Sequence, residues 1–304
     1  MEAMEMKIAI TGGTGFLGSV LTELLHEKGH EVYILTRSDK PKEQGITYVQ
    51  WLSDGATPED QLEGIDALVN LAGTSINDGL WTDKQKKKIY DSRVSATKEV
   101  LRIISALEKK PEVLVNASAI GIYPASEHKT YTEADHEYGN DFLAETVLAW
   151  ESLAEQAQLD GVRAAYARLG ILLGKEEGAL PLMALPYKLF AGGTVGTGRQ
   201  WLSWIHVHDA ARAILFAIEQ KELTGPFNVA APNPQRMKTV GKEIGRALGR
   251  PHWIPAPSFA LKAALGDKSR LVLEGQRALP TVLLDHGFKF EFPNLPEALA
   301  DIYK

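Results

Sequence analysis

The chain contains no cysteine. Disulfides, thiolate nucleophiles and cysteine-bound metals are therefore excluded. It also lacks any run of about 18 apolar residues, the length a membrane-spanning helix needs, so no spanning segment is expected. Positive charge is in short supply: 33 Lys and Arg against 39 Asp and Glu leave a net charge of −6. That balance argues against a general binder of nucleic acid or of a membrane surface. The one dense basic cluster, Lys84–Lys88, reads as a solvated helix face. The opening Met1–Met6 is acidic and leads straight into a strand, so no signal peptide is expected, and the protein is expected to be cytoplasmic. No repeat or low-complexity segment is evident. With 304 residues, 44% of them hydrophobic and 24% charged, the chain has room for one large α/β domain with a smaller appendage.

What is present decides the class. Residues 7 to 18 read Lys-Ile-Ala-Ile-Thr-Gly-Gly-Thr-Gly-Phe-Leu-Gly. A short apolar strand runs into Gly12-x-x-Gly15-x-x-Gly18, and an apolar helix pattern follows at once: Phe16, Leu17, Val20, Leu21, Leu24, Leu25. Gly12 allows the tight turn, Gly15 lets a pyrophosphate approach the backbone, and Gly18 lets the helix pack closely on the sheet. The helix N-terminus turns its free N–H groups toward the phosphates. Thr14, Gly15, Phe16, Leu17 and Gly18 thus form, with Gly12, a candidate dinucleotide cradle. The second strand, Glu31–Thr36, ends in Arg37-Ser38. An NAD-selective site usually carries Asp or Glu there for the ribose 2′-hydroxyl, whereas a guanidinium forks onto a 2′-phosphate. The expected cofactor is NADP(H); a solvated arginine at a strand end is the plain alternative.

Strand-like and helix-like segments alternate up to residue 170. Ile46–Trp51 and Ala67–Leu71 read as the third and fourth strands, and Thr82 to Lys109 as two helices broken near Asp91. Val113–Ser118 reads as the fifth strand, Phe142–Gln158 as an amphipathic helix and Val162–Leu169 as the sixth strand. This alternation predicts an α/β fold, a Rossmann-type doubly wound parallel sheet, with the cofactor across the carboxyl ends of the strands. Beyond Gly174 the alternation weakens. Leu202–His206 and Asp209–Glu219 read as a strand and helix returning to the sheet, with Asp209 as N-cap, and Phe227–Val229 as a further strand. Helices over Thr239–Leu248, Phe259–Leu265 and Pro296–Tyr303 follow. The expected division is an NADP-binding domain of residues 1–174 and 202–232, and a small, mostly helical substrate-side domain of residues 175–201 and 233–304.

Several segments together resemble the extended short-chain dehydrogenase/reductase superfamily. Thr11-Gly-Gly-Thr-Gly-Phe-Leu-Gly18 is similar to its fingerprint, and Asn70-Leu-Ala-Gly73 to its structural Asn-Ala-Gly segment. Asn116-Ala-Ser-Ala-Ile-Gly-Ile-Tyr123 resembles the stretch that carries the active-site Ser. Trp204-Ile-His-Val-His-Asp209 and Gly225-Pro-Phe-Asn-Val229 resemble later landmarks. Trp81, Ser92-Arg93, Thr97, Asp141-Phe-Leu, Trp150-Glu151, Leu273-Glu-Gly-Gln-Arg277, Pro280, Gly287-Phe288 and Phe292-Pro293 look like the atypical "epimerase family" branch (NAD-dependent epimerase/dehydratase-like, YfhF/YfcH-type). The resemblance spans nearly the whole chain. It implies a Rossmann core with a small C-terminal domain and NADP(H) binding, with Leu71, Ala72 and Gly73 along the cofactor and Leu169-Gly170 beside the nicotinamide. It supplies no substrate.

The superfamily's chemistry uses Ser, Tyr and Lys, with Tyr-x-x-x-Lys placing two side chains on one helix face. Ser118 fits the Ser position and Tyr138 the Tyr position, but the residue four beyond Tyr138 is Phe142. None of the nine tyrosines has Lys at that spacing. An ordinary phenol has a pKa of about 10, so without a neighbouring cation Tyr138 is a better proton donor than base, and carbonyl reduction is the easier direction. Tyr138 as a plain loop residue is the alternative. Arg93 is placed to reach the cofactor or a substrate anion, with a surface ion pair as the alternative. Arg168 ends the sixth strand. Asn77, Trp81, Trp201 and Trp204 are candidates to line the substrate cleft, although large aromatics more often fill cores. His206-x-His208 lacks a third ligand, so no metal site is expected. The expected function is an NADP(H)-binding oxidoreductase or epimerase-like enzyme, monomeric or homodimeric, acting on a small carbonyl, alcohol or nucleotide-sugar-like substrate. The alternative is a catalytically degenerate NADP(H)-binding regulator or sensor.

Overall fold

A computed structural model describes residues 5–38, 40 and 45–304; the first part of Met1–Met6 lies outside them. Seven parallel strands form the central sheet: β1 (Lys7–Thr11), β2 (Glu31–Thr36), β3 (Ile46–Gln50), β4 (Ala67–Asn70), β5 (Val113–Ala119), β6 (Arg163–Leu169) and β7 (Gly225–Val229). Their order is β3-β2-β1-β4-β5-β6-β7. The winding reverses between β1 and β4, and it is outside the carboxyl ends at such a reversal that doubly wound sheets take ligands.

The helices of two turns or more are α1 (Phe16–Glu27), α2 (Asp83–Ala106), α3 (Phe142–Glu155), α4 (Leu180–Lys188), α5 (Val207–Glu219), α6 (Met237–Ala247), α7 (Ser258–Leu265) and α8 (Leu295–Ile302). The two-residue period of β1 decides which face each side chain feeds. Ile8 and Ile10 meet Leu21 and Leu25 of α1 and Ile214 of α5. Ala9 faces the opposite layer, with Val100, Ile103 and Ile104 of α2. Leu180, Trp204, Val240, Ile244, Leu295 and Leu299 form a separate core. Leu283 and Phe288 belong instead to the core beside α5 and β7, so the segment 233–304 crosses back onto the main sheet.

Three local expectations are corrected. α2 is continuous through Asp91, because that residue pairs with Lys87 one turn earlier at 2.6 Å and no Gly or Pro interrupts residues 83–106. The strand near residue 204 does not join the main sheet: Trp204–His206 pairs with Ile171–Leu173. The N-cap of α5 is His206, whose side chain accepts from the His208 amide at 3.2 Å. Asp209 is fully buried and accepts from the amides of Glu291 and Phe292 at 3.0 and 2.8 Å, fastening the C-terminal segment. No helix among the described residues is long and apolar enough to cross a membrane.

Candidate functional site

The glycine turn is built as its spacing demands. Gly12 has φ +68°, and a Cβ there would lie 2.9 Å from the Leu71 carbonyl carbon and oxygen. A Cβ on Gly18 would lie 2.1 Å from the Gly12 oxygen. Gly15 differs: its added Cβ would meet only the Gly12 oxygen, at 3.3 Å. Its outward side is open to a ligand. Gly15 caps α1 without a side chain, and the amides of Phe16, Leu17 and Gly18 have no acceptor among the described residues. Unsatisfied amides at the positive end of a 12-residue helix are a ready anion cradle. Thr14 is exposed beside them, while the Leu17 side chain is buried. The Phe16 ring fills the niche left by Gly174 and Gly178.

Arg37 and Ser38 are exposed at the end of β2. Ser38 turns back onto the Thr36 hydroxyl at 3.3 Å. Arg37 has neither a hydrogen bond nor an ion pair among the described residues. These groups and the glycine turn fit a dinucleotide: amide donors and a guanidinium without partners among the described residues, and a cradle that a Cβ would fill.

Behind the turn lies a buried polar row. Thr11, Asn70 and Asn116 sit side by side in register on β1, β4 and β5. The Thr11 hydroxyl donates to Asn70 Oδ1 at 2.6 Å, and Asn70 Nδ2 donates to Asn116 Oδ1 at 2.7 Å. Thr11 Oγ1 also accepts from the amides of Leu71 and Ala72 at 3.1 and 3.2 Å. That fixes the loop through Leu71, Ala72 and Gly73 against Gly12. Asn70 Nδ2 reaches Thr97 Oγ1 of α2, which also accepts from Trp150 Nε1 of α3.

Ser118 follows the same alternation. It shares a strand face with Asn116, so its hydroxyl points at α3 and not over the strand end. It is 2% exposed and donates to Glu151 Oε1 at 2.5 Å. Arg168, its register neighbour on β6, grips both Glu151 oxygens at 2.8 and 2.9 Å. Burial opposes the Arg168 charge, but the Glu151 hydrogen bonds and field outweigh it and hold the guanidinium above its ordinary pKa. Arg168 also donates to the Tyr123 hydroxyl, which donates to Asn228 on β7. The predicted catalytic Ser is thus one member of a closed network across β5, β6, β7 and α3.

Tyr138 stands apart. It lies on an exposed loop, 3.4 Å from His136 Nδ1. α3 begins at Phe142, capped by Asp141, whose Oδ1 accepts from the amides of Leu143 and Ala144. Tyr138 therefore precedes the helix and does not share a helix face with residue 142. The α3 side chain nearest Gly121, just beyond β5, is Leu143, and Val147 one turn on is buried.

The remaining candidates divide. Leu169-Gly170 leaves β6 with the Gly170 amide bonded to the Val229 carbonyl at 2.9 Å. Its missing Cβ allows Ser203 to approach. Trp81 is nearly buried and meets Phe142 edge-on at 5.7 Å. Asn77 is exposed, and its carbonyl accepts from Lys268 Nζ at 2.5 Å. Trp201 is half-buried, with the guanidinium groups of Arg236 and Arg277 at 3.8 and 4.6 Å from its ring. Trp204 is 0% exposed in the small core and does not line a cleft; its indole N–H reaches only the Asn233 carbonyl. Among the described residues no group of three or more His, Asp or Glu is placed to hold a metal.

Sequence reasoning missed a polar strap. Asp267 pairs with Lys86 at 2.6 Å, Lys268 also donates to the Gly79 carbonyl at 2.9 Å, and Arg270 pairs with Asp141 at 2.9 Å. Residues 267–270 thereby join the loop before α2, α2 itself and the cap of α3. Long-range pairs between exposed polar side chains leave no periodic signal. The Ser118–Glu151–Arg168 link was closer to hand, since Trp150-Glu151 lies on the inward stripe of an amphipathic helix.

The sequence matches the NAD dependent epimerase/dehydratase family over residues 8–230. The chain belongs to that family. Residues 256–302 match a second family, a domain of unknown function (DUF1731). The Bacillus subtilis epimerase family protein YfhF is 53% identical over 98% of both chains, and a Staphylococcus haemolyticus epimerase family protein is 44% identical over 96% of this chain and 97% of its own. Among solved structures, the human epimerase family protein SDR39U1 with NADPH superposes with a TM-score of 0.87 at 32% identity. That match covers 98% of this chain and 99% of the human one. A nucleoside-diphosphate sugar epimerase from Corynebacterium glutamicum gives 0.79 at 30% identity, covering 99% of this chain and 58% of that one.

Proposed function

We propose that this protein binds NADP(H) and uses it to reduce a small carbonyl substrate. The observation that carries the cofactor choice is Arg37, an exposed guanidinium with no partner among the described residues at the end of β2, where a carboxylate would repel a 2′-phosphate. The human relative solved with NADPH supports it. In this reading Gly12, Thr14, Gly15, Phe16, Leu17 and Gly18 cradle the pyrophosphate. Arg37 and Ser38 take the 2′-phosphate, and Leu71–Gly73 and Leu169-Gly170 carry the nicotinamide half. Bound NADP(H) supplies a hydride for a carbonyl carbon. Tyr138 is the candidate proton donor, and Ser118 serves by holding the ends of β5 and β6 through Glu151. Epimerisation would need a base as well as an acid at the reacting carbon, and no Tyr-x-x-x-Lys pair is available to act as that base.

A second reading, a cofactor-binding sensor with little turnover, is favoured by one feature: the α3 side chain nearest Gly121, just beyond β5, is the apolar Leu143. One experiment addresses both. Ligand-induced stabilisation follows RT ln(1 + [L]/Kd), so NADPH at a matched concentration should raise the melting temperature more than NADH. Arg37→Ala should remove the difference. Equal shifts for the two cofactors would overturn the NADP(H) reading. NADPH consumption across a carbonyl panel, lost in Tyr138→Phe, supports the reductase; no consumption with any carbonyl supports the sensor.

A further inference from the structure

One cation of the cofactor side is half-buried with no carboxylate partner among the described residues. Arg93 on α2 donates through Nη1 to the carbonyls of Thr74 and Ile89 at 3.1 and 3.0 Å. Its guanidinium lies 5.1 Å from the centre of the Trp150 ring. No ion pair to it occurs among the described residues, and burial alone brings its pKa down to about 10. Nε and Nη2 have no acceptor, yet neither is sealed from solvent.

The loop leaving β4 is pressed onto this group. A Cβ on Gly73 would lie 3.2 Å from Arg93 Cζ, so the backbone there lies in close contact with the guanidinium. Ser92 Oγ accepts from the Thr74 amide at 3.0 Å while Arg93 holds the Thr74 carbonyl. A half-buried guanidinium whose Nε–H and Nη2–H have no protein acceptor among the described residues keeps those donors free for the oxygens of a ligand.

Its place in the sheet says which oxygens. The glycine turn follows β1 and Arg37 follows β2, so the adenosine end of a dinucleotide lies on the β2 side of the turn. The other half then crosses the ends of β4 and β5, where Arg93 stands. The adjoining stripe of α3 carries Leu143, Val147 and Trp150 and no lysine. Trp150, one turn past Val147, is the ring against the guanidinium.

We propose that Arg93, reaching from α2, is the cation that positions the nicotinamide half of the dinucleotide. The assignment rests on the NADP(H) reading. It makes Arg93 a positioning residue: its free Nε–H and Nη2–H donors hold oxygens of that half.

The test compares two ligands by isothermal titration at fixed salt. NADPH carries both halves, whereas adenosine 2′,5′-bisphosphate carries the 2′-phosphate end and no nicotinamide. Arg93→Gln should weaken NADPH by about tenfold or more and leave the bisphosphate within about twofold. Arg93→Lys should recover part of the loss, and Arg37→Ala should weaken both ligands. Without ligand, Arg93→Gln should melt no lower than the wild type, because the idle charge is gone; an arginine that merely holds the loop would lower that melting point on removal. Wild-type affinity for NADPH in Arg93→Gln, equal loss of both ligands, or a markedly lower ligand-free melting point would overturn the proposal. If the wild type binds neither ligand, the NADP(H) reading falls and this role falls with it. If the wild type binds both and Arg93→Gln is unchanged, this role alone falls.

Discussion

Two polar assemblies flank the cleft and are built on opposite terms. On the cofactor side, Thr11, Asn70, Asn116, Ser118 and Arg168 are all at most 2% exposed, and each is tied to a strand or helix neighbour. On the other side, Asp267, Lys268 and Arg270 reach across with exposed side chains, and neither α7 nor the turn Arg270–Leu273 buries a residue. A buried network is costly to break because each orphaned group loses both water and partner. Exposed bridges contribute little, since water replaces them readily. The buried row beneath the glycine turn is thus fixed by its own partners, while the bridges of residues 267–270 are exposed pairs that contribute little.

The largest break in that comparison comes from the glycine turn. Gly18→Val drives a side chain into the Gly12 carbonyl, and its cost is expected to exceed about 4 kcal/mol. Gly15→Val meets only one atom at 3.3 Å; it should fold but show no stabilisation by NADPH in thermal melts. A Gly15→Val protein that NADPH stabilises as well as wild type would place the dinucleotide elsewhere.

Next in size, Glu151→Gln leaves Arg168 charged and unpaired in the interior, at an expected loss of about 3–5 kcal/mol in urea unfolding. Ser118→Ala removes one hydrogen bond from the same network and should cost about 1 kcal/mol. If the two losses come out alike, the Glu151–Arg168 pair is not the centre of the network.

Acid should weaken the fold through buried imidazoles. His206 is held below its ordinary value of 6.5 by burial, with Asp301 and Asp209 pulling the other way. Burial likewise depresses His30 and His252. The unfolded chain then takes up protons that the folded one refuses, so stability present above pH 6.5 is lost as the pH falls below it. Thermal melts between pH 7.5 and 5.5 should fall, and His206→Asn should flatten the slope.

The smallest effect should come from the strap. Asp267→Asn and Arg270→Gln should each cost less than about 1 kcal/mol. They should nonetheless speed proteolytic cutting near residues 266–270, and high salt should mimic them in the wild type because it screens exposed pairs. A strap variant as unstable as Glu151→Gln would erase the contrast between the two sides.

Much of this was legible before any coordinates. Residues 7–18 announced strand, turn and helix because each glycine answers a local steric demand. Arg37 was legible as a cation at the end of the second strand, where an acidic residue is the common alternative. The helix after Tyr138 starts only at Phe142, where Asp141 caps it, so residues 138 and 142 do not share one helix face. Asp209 was misread because its partners lie far along the chain. It has the composition of a cap, but the backbone amides it accepts from belong to residues 291 and 292. Trp204 followed its volume into the core.

The sequence by itself determined the doubly wound sheet, the dinucleotide turn and the absence of a Tyr-x-x-x-Lys pair, because these depend on residues within a few positions of one another. The tertiary structure alone decided three other things: that Ser118 faces Glu151 and Arg168, that Arg93 lies half-buried against Gly73 and Trp150 with no carboxylate partner among the described residues, and that residues 267–270 bridge to α2 and the cap of α3. Those facts depend on strand register and on contacts between residues far apart in the chain, and no local pattern encodes which distant partner a buried charge will meet.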